Sequence, residues 1–475
     1  MLAAVFAVLQ LANVTGRDTP DTKNYLSYAL SLRGDGKRAA AAATIDYACA
    51  GRASIARRNQ SVDVLRFHRP SPTRRVTEEC RREQWAQVDR RLRAGQTAGR
   101  TVPFMPARFM RIFEVRPGYP ALLVPFIAVF GVTWGLWASG VTVAVAGGVL
   151  AFLTLRTLRA PTVVALTGQA LFYVLPCGAT AMRPMTEGLM LTLTLAALWG
   201  CALALEGGRA RTGAALVGGA LAWLFTVKHS QALFLGLCLA AACAAIGLRR
   251  AGGVPDRAAP GAGPGTEPGA APDSSTGAAP DSSTDALPGS GPGGVRVGVG
   301  VLVRVRRAWA ALGRPLRAVA LVAGGAAVAT VLAARALRYP AESESLQDLL
   351  TDHFGRPDRI RPWPEFLRLE AGFWVEWLRR QLWEPLFLTA LLAAAWGALR
   401  RRPAFGCFLL AGAFTGVLNQ AGHPDINIYG DRLIVLAWLL PVLGLPLLLE
   451  RATRPPAPLP GTVPGPLRRD TAPVR

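Results

Sequence analysis

Long blocks of apolar residues, separated by short polar joints, dominate the hydrophobic pattern of this chain. A helix needs roughly 20 apolar residues to cross about 30 Å of hydrocarbon, and its backbone polar groups are satisfied internally there. The blocks therefore predict an all-α, multi-span integral membrane protein with about ten transmembrane helices. They lie at residues 1–16, 133–155, 161–181, 186–205, 212–227, 230–248, 316–334, 384–399, 404–420 and 433–449.

One apolar stretch, residues 118–131, does not fit this pattern because Pro120, Pro125 and Gly131 interrupt it. It is also short for a crossing. We expect it to form a re-entrant or interfacial helix, followed by a single crossing at 133–155.

The distribution of arginine between the blocks predicts which joints face the cytoplasm. With one crossing before residue 156, the short basic joints all fall on the same side, as the positive-inside rule requires. Both termini are then cytoplasmic, and two polar segments lie outside. These are the first polar loop, residues 17–117, and the second polar loop, residues 335–383. The first is rich in arginine, but the rule weakens for loops longer than about 60 residues.

Residues 251–295 divide the chain into an N-terminal membrane part, 1–250, and a C-terminal membrane part, 296–450. They are rich in Gly, Pro, Ala and Ser, and they contain GAAPDSST twice in succession. Such a composition cannot bury enough apolar surface to fold, so we predict a disordered cytoplasmic linker. Residues 451–475, rich in proline, are predicted to form a disordered cytoplasmic tail.

Composition and charge indicate which class of partner the chain binds. The chain is 51% hydrophobic and 17% charged, with a formal net charge of +23. Because the arginines cluster beside apolar blocks, this charge indicates membrane lipids rather than nucleic acid as the partner. We therefore expect a multi-pass protein of the cell membrane. Cys49 and Cys80 share the first polar loop, and a disulfide between them remains an open alternative.

The first polar loop is predicted to carry interfacial helices. A helical pattern follows Asp18 and Asp21, with Thr22 as its expected N-terminal cap. A second, charged helix is predicted over residues 78–93, lying on the surface. Asp21 therefore stands at the start of a helix where the chain first leaves the bilayer.

The predicted topology brings four polar clusters to the outer face. Their members are Asp18 and Asp21; Arg183 and Glu187; Lys228 and His229; and His423 and Arg432. Ionisable residues near membrane-helix ends are costly to desolvate and often functional. A carboxylate here suits general-base catalysis, and the cations suit an anionic group such as a polyprenyl phosphate. We therefore expect sugar transfer from such a lipid, with Asp21 or Asp18 as catalytic residue and the other six residues binding substrate.

Most of these residues also have a structural interpretation, and Arg432, for example, can pair only with Asp431 or with lipid headgroups. The two aspartates can act as helix caps in a solvated loop. Arg183 and Glu187 can form a local ion pair, since they are four residues apart. Lys228 can simply extend to the interface, and the histidine beside it can be a helix-end hydrogen-bond donor.

Four segments resemble the polytopic glycosyltransferases of the type C fold, the protein mannosyltransferase and aminoarabinose transferase class. They are DTKNYLSYALSLRG from Asp21, RPGYPALLVPFIAVFG from Arg116, RPMTEGLMLTLTLAALW from Arg183, and YGDRLIVLAWLLP from Tyr429. The resemblance implies an inverting hexosyl or pentosyl transferase that uses a polyprenyl-phosphate sugar on the extracytoplasmic face. By motif position it implies that Asp21 is the base, Arg432 a phosphate contact and Glu187 a second acidic residue.

The sequence also departs from that class. Arg116 and Pro117 stand where the aminoarabinose branch has a lysine before proline. We expect the acceptor, an envelope glycan, lipid or protein, to be recognised by the two polar loops. No metal-ligand spacing occurs, and a requirement for a divalent metal stays open. The alternative functions are a membrane transporter or lipid flippase, and a non-catalytic scaffold for envelope assembly.

Overall fold

The computed structural model describes residues 1–206, 208–252, 304–425, 432–450 and 452–453, and these are helical throughout, without strands. The helices of the first half are α1 (Leu2–Leu9), α2 (Thr22–Arg33), α3 (Lys37–Ser61), α4 (Thr73–Arg93), α5 (Ala107–Glu114), α6 (Gly118–Thr157), α7 (Thr162–Val174), α8 (Pro176–Ala181), α9 (Thr186–Leu205), α10 (Ala210–Val227) and α11 (His229–Gly252). Those of the second half are α12 (Arg314–Ala336), α13 (Glu342–Leu350), α14 (Pro362–Trp383), α15 (Leu386–Arg401), α16 (Pro403–Ala421), a 3₁₀ helix (Leu433–Trp438) and α17 (Leu439–Leu449).

Six of these helices, α6, α9, α10, α11, α12 and α16, are long and apolar enough to cross a membrane, which agrees with a helical membrane protein. A seventh is added if α14 and α15, bent by 88° relative to each other, count as one broken span. The predicted count of about ten is not confirmed, because four predicted spans, 1–16, 161–181, 384–399 and 433–449, form shorter or broken helices. Pro176, for example, divides the predicted span 161–181 into α7 and α8.

The predicted break near residue 131 is present. Gly131 has φ +73° and ψ 178°, a conformation essentially restricted to glycine, in the middle of α6. A Cβ placed on Gly135 would lie 2.8 Å from the Cα of Ile127. In a straight helix residues eight positions apart are separated by about 12 Å along the axis. The segment before Gly131 therefore folds back against the segment after it.

The first polar loop is built from four helices, α2 to α5. A disulfide joins Cys49 of α3 to Cys80 of α4, which settles the pairing that the sequence left open. The charged helix predicted at 78–93 is α4, and only Cys80, Gln84 and Val88 on one side of it are buried. This four-residue spacing is that of a surface helix with one packed face.

Helix α9 occupies the centre of the membrane region, where most of its residues are buried. Close packing against α10 depends on two glycines. A Cβ on Gly200 would lie 2.6 Å from the carbonyl oxygen of Gly213, and a Cβ on Gly213 would lie 2.5 Å from that of Gly200. Small residues let membrane helices approach this closely.

The second polar loop packs onto the first. Arg108 of α5 pairs with Glu344 at 2.6 Å and with Asp358 at 2.8 Å. Its guanidinium also lies over the ring of Phe354, and the rings of Phe109 and His353 are 4.7 Å apart. These contacts fix the segment after α13 against α5.

Two predicted disordered segments lie largely or wholly outside the described residues. They are the linker at 251–295, of which only its first two residues are described, and the tail at 451–475, of which only 452–453 are described. Residues 426–431, in the last of the four polar clusters, also lie outside the described part of the chain.

Candidate active site

Three residues that the sequence placed on one face come into direct contact. The Arg432 guanidinium donates to the carboxylates of both Asp21 and Glu187, with Nε of Arg432 3.1 Å from Oε1 of Glu187. The partners lie 411 and 245 residues away in the chain. We call Asp21, Glu187 and Arg432 the carboxylate–arginine cluster. One planar guanidinium that bridges two carboxylates holds all three side chains in a defined geometry.

Asp21 occupies the N-cap position of α2, but its side chain makes no capping hydrogen bond. The prediction that Thr22 is the cap was wrong, because Thr22 is the first residue of the helix. Its hydroxyl donates to the carbonyl of Pro184 at 3.1 Å, and this bond attaches the start of α2 to the turn before α9. Because the carboxylate of Asp21 does not cap the helix, it can accept a hydrogen bond from Arg432.

Glu187 is the second residue of α9, and its side chain is only 3% exposed. The N-terminal end of a helix stabilises a carboxylate through its unpaired N–H groups and macrodipole. Thr186 adds a hydrogen bond from its hydroxyl to Oε2 at 3.1 Å. A buried carboxylate is thus compensated by a helix terminus, a hydroxyl and a guanidinium.

Arg432 immediately precedes the 3₁₀ helix that leads into α17. Its side chain is 23% exposed. The Asp21 side chain is 16% exposed and that of Glu187 only 3%, so the Asp21 contact is the more accessible side of the cluster. Burial lowers the pKa of Arg432 from its ordinary value, but a guanidinium remains charged at physiological pH.

Two further cations lie beside the cluster. Lys228, between α10 and α11, is an electrostatic neighbour of both Glu187 and Arg116, and its burial lowers its pKa to about 8. Arg116 precedes α6 and is also an electrostatic neighbour of Tyr25. Burial of the Tyr25 phenol raises the pKa of Tyr25. The described side chains therefore place two carboxylates and three cations in one region.

Close packing at a glycine brings the chain segments that carry Arg116 and Lys228 together. A Cβ on Gly118 would lie 2.2 Å from Oγ1 of Thr226, so the start of α6 touches the end of α10 directly. Arg116 stands two residues before the first of these positions and Lys228 two residues after the second. A side chain at 118 would clash with Thr226 unless one of the two segments shifted.

His229 closes this side of the site. It neighbours Arg116 and Lys228, and its ring meets that of Tyr339 edge-on at 5.1 Å. Among the described residues, Nδ1 of His229 and Nε of Arg116 are buried without a hydrogen-bond partner. Unsatisfied polar atoms on two electrostatically neighbouring side chains are consistent with a place that a polar or anionic group can occupy.

His423 connects the site to the second polar loop. It neighbours Asp348, Asp425 and Lys228, and its burial lowers its pKa. Nδ1 of His353 lies 3.2 Å from Oδ1 of Asp348, and this hydrogen bond raises the pKa of His353.

The loop segment that carries His353 is strained. Asp352, His353 and Phe354 all have φ between +54° and +59°, the left-handed region that non-glycine residues rarely adopt. Backbone strain of this kind persists only where surrounding contacts fix it, and it concentrates at functional sites. Here the contacts of Arg108 and Phe109 fix it.

Two of the predicted site residues are not members of the carboxylate–arginine cluster as defined here. Asp18 lines a separate cavity with Lys23 and Arg52. Arg183 lies in the turn that precedes α9, one residue before the carbonyl that anchors Thr22. In the described part of the chain, no group of three or more His, Cys, Asp or Glu side chains is arranged to hold a metal ion.

Searches of protein-family models, characterised proteins and solved structures returned no match for this chain.

Sequence reasoning did not include Arg116, Tyr25, Thr186 and Tyr339 among the site residues. The available signal was the position of Arg116, which stands where the resembled class has a basic residue before proline. The aromatic residues gave no signal, because tyrosines near apolar blocks usually mark an interface.

Proposed function

We propose that the protein is a membrane glycosyltransferase that moves a sugar from a polyprenyl-phosphate donor to an envelope acceptor. The observation that carries this proposal is the carboxylate–arginine cluster with Arg116 and Lys228 beside it. It offers a partly exposed carboxylate next to an excess of cations, the combination that transfer from a lipid phosphate needs.

In the proposed reaction, the Asp21 carboxylate accepts the proton of an acceptor hydroxyl as that oxygen bonds to the anomeric carbon of the sugar. The bond between this carbon and the phosphate oxygen breaks, and its electron pair leaves with the polyprenyl phosphate. Attack opposite the leaving group inverts the configuration. Asp21 ends the step protonated and returns its proton to water.

The three cations have distinct roles in this proposal. Arg116 and Lys228 stabilise the negative charge that grows on the departing phosphate. Arg432 holds Asp21 and Glu187 in place while the site is empty. A donor phosphate competes with these carboxylates for the guanidinium, so donor binding releases Asp21 for proton transfer.

The positions of the charged residues favour a reaction at the membrane surface over transport through the bilayer. A transporter would carry ionisable residues near the middle of its spans. In the described spans the charges lie at helix ends, as Glu187 does at the start of α9 and Arg249 and Arg250 do near the end of α11. The finer topology that belongs to this proposal has about ten crossings, both termini in the cytoplasm and both polar loops outside.

A donor-consumption assay tests the proposal. Purified full-length protein in detergent is incubated with native polyprenyl-phosphate sugars and envelope acceptors, and mass spectrometry follows each donor and the released polyprenyl phosphate. The wild type should consume one donor and release its lipid phosphate, whereas Asp21→Asn should not. Asp89→Asn, the same change at an ion pair with Arg38 on the surface of α4, is the matched control. An intact donor pool after incubation with folded wild type rejects the transferase.

A further inference from the structure

The first polar loop contains a cavity of about 270 Å³ near the start of α2. We call it the Asp18 cavity. It is lined by Asp18, Thr19, Pro20, Lys23, Ala48, Arg52, Cys80 and Gln84. Its walls therefore come from the turn before α2, from α3, and from α4 at the disulfide. This volume is close to the lower end of small-ligand sites and corresponds to about nine water molecules at roughly 30 Å³ each.

One oxygen of a carboxylate in this cavity lacks a hydrogen bond. Among the described residues, Oδ1 of Asp18 is buried without a hydrogen bond. A Cβ on Gly51 would lie 2.5 Å from this oxygen, so α3 approaches it as closely as a glycine permits. Burial raises the pKa of Asp18. An unpaired carboxylate oxygen in such surroundings is costly unless a donor from a ligand or water satisfies it.

Two cationic side chains and an amide lie around this carboxylate. Lys23 donates from Nζ to Oε1 of Gln84 at 2.7 Å and lies over the ring of Phe104. Arg52 is about half exposed and reaches Glu83 only at 3.8 Å, so most of its donors stay available. The cavity thus offers one strong acceptor, a buried amide and two cationic donors.

The carboxylate, the amide and the two cations together indicate which kind of ligand the cavity can bind. A cation would meet Lys23 and Arg52, an anion would meet Asp18, and an apolar group would leave the carboxylate unsatisfied. A neutral polyhydroxylated group can donate to Asp18 and accept from the cations at the same time. We propose that the Asp18 cavity binds a neutral sugar unit of the acceptor glycan.

The location agrees with that role, which rests on the proposed transferase function. Asp18 and Asp21 are three residues apart, so their Cα atoms are at most about 11 Å apart. The backbone N–H of Thr19 donates to Oγ1 of Thr22 at 2.8 Å, which joins the cavity wall to the start of α2. A glycan anchored in the Asp18 cavity can therefore extend a neighbouring hydroxyl to Asp21. The acceptor is accordingly a neutral glycan rather than a protein side chain or a bare lipid.

Saturation-transfer NMR on the full-length protein in detergent tests this assignment without any donor. The probes are the methyl glycosides of mannose, glucose, galactose and arabinose. Wild type, Asp21→Asn and Asp89→Asn should all give saturation transfer to at least one glycoside. Asp18→Asn should reduce that signal at least fivefold because an amide loses the charge-assisted hydrogen bond, and Asp18→Ala should abolish it. An intact Cys49–Cys80 disulfide and a monodisperse elution profile verify the fold of each variant.

Two results overturn the assignment: no glycoside binds the wild type, or Asp18→Asn and Asp18→Ala bind as well as the wild type. Loss of binding in Asp21→Asn as well would place the sugar at the carboxylate–arginine cluster instead and would also reject it. A protein that binds a glycoside through Asp18 but consumes no donor keeps the cavity assignment and refutes the transferase. A protein that consumes donor while its Asp18 variants bind glycosides normally keeps the transferase function and refutes the cavity assignment.

Discussion

Arg432 donates from Nε to Oε1 of Glu187 at 3.1 Å, although 245 residues separate the two in the chain. The glutamate begins α9 and is almost fully buried, whereas the arginine begins the final helical segment. The pair therefore joins the two membrane parts of the chain on one face of the molecule. The same guanidinium contacts Asp21, so the first polar loop is fixed at this point as well.

Replacing the shared cation should destabilise the fold. Arg432→Gln leaves two largely buried carboxylates without their counter-charge, and loss of one partner of such a pair costs about 3–5 kcal/mol. The midpoint of thermal unfolding in detergent should fall clearly. Adding Glu187→Gln to this variant should recover part of the loss, because it removes one unpaired charge. Arg379→Gln, at an exposed ion pair with Glu376, should change the midpoint little; strictly additive effects of the first two substitutions would argue against the bridged geometry.

Anion binding should weaken as pH rises through about 8. Lys228 has its pKa lowered to about 8, and by one pH unit above that value only about a tenth of the amines carry a proton. Donor affinity should therefore decrease between pH 7 and 9. Lys228→Arg should remove this decrease, since arginine stays charged. A decrease of the same size in both proteins would assign the titration to another group.

The same pKa shift predicts an opposite trend for folding. Between about pH 8 and 10.5 the unfolded chain binds a proton at Lys228 that the folded chain does not, so this residue makes stability rise with pH across that window. Thermal unfolding of the wild type should show a relative gain over Lys228→Arg in this range. A curve parallel to that of the arginine variant would contradict the shift.

Gly131 should be intolerant of a side chain. Its backbone conformation is essentially restricted to glycine, and a non-glycine residue there costs on the order of 1–3 kcal/mol. Gly131→Ala should lower the unfolding midpoint. Gly324→Ala is the control, because that glycine lies inside α12 with open space around its Cβ position, and alanine is the better helix former by about 0.5–1 kcal/mol. Equal behaviour of the two variants would show that the fold-back at Gly131 does not occur.

Both polar loops should be accessible from outside the cell. Val64 and Ile360 are 84% and 96% exposed, one in each loop, and the five free cysteines are buried or half-buried. Val64→Cys and Ile360→Cys should react with an impermeant maleimide on intact cells. Gly208→Cys, in the joint between α9 and α10, should react only after lysis. The reverse labelling pattern would invert the proposed topology.

The sequence predicted much of the carboxylate–arginine cluster because the predicted topology places its members on one face. Asp21, Glu187 and Arg432 each stand at the end of an apolar block, and blocks that alternate in direction return such ends to the same side. The break at Gly131 was predictable for a similar reason, since glycine and two prolines interrupt an otherwise apolar run. These are local signals whose meaning does not depend on packing.

Other features depend on contacts that no local pattern encodes. Arg116 and Lys228 are electrostatic neighbours, and the start of α6 lies against Thr226 of α10 at Gly118. Thr22 looked like a helix cap, but its hydroxyl is used for a tertiary bond to Pro184. The span count was uncertain for the same reason, because prolines such as Pro176 shorten helices that composition alone predicts to be continuous.

The most direct test of the central claim measures donor binding and donor turnover separately in Asp21→Asn. If Asp21 is the base, turnover should fall by about 10²–10⁴-fold while the dissociation constant for the donor stays within a few-fold of the wild-type value. Lys228→Met should instead raise the dissociation constant for the donor more than it lowers turnover of the bound donor. Turnover close to wild type in Asp21→Asn, or a loss explained entirely by weaker donor binding, would contradict the assignment of Asp21 as the catalytic base.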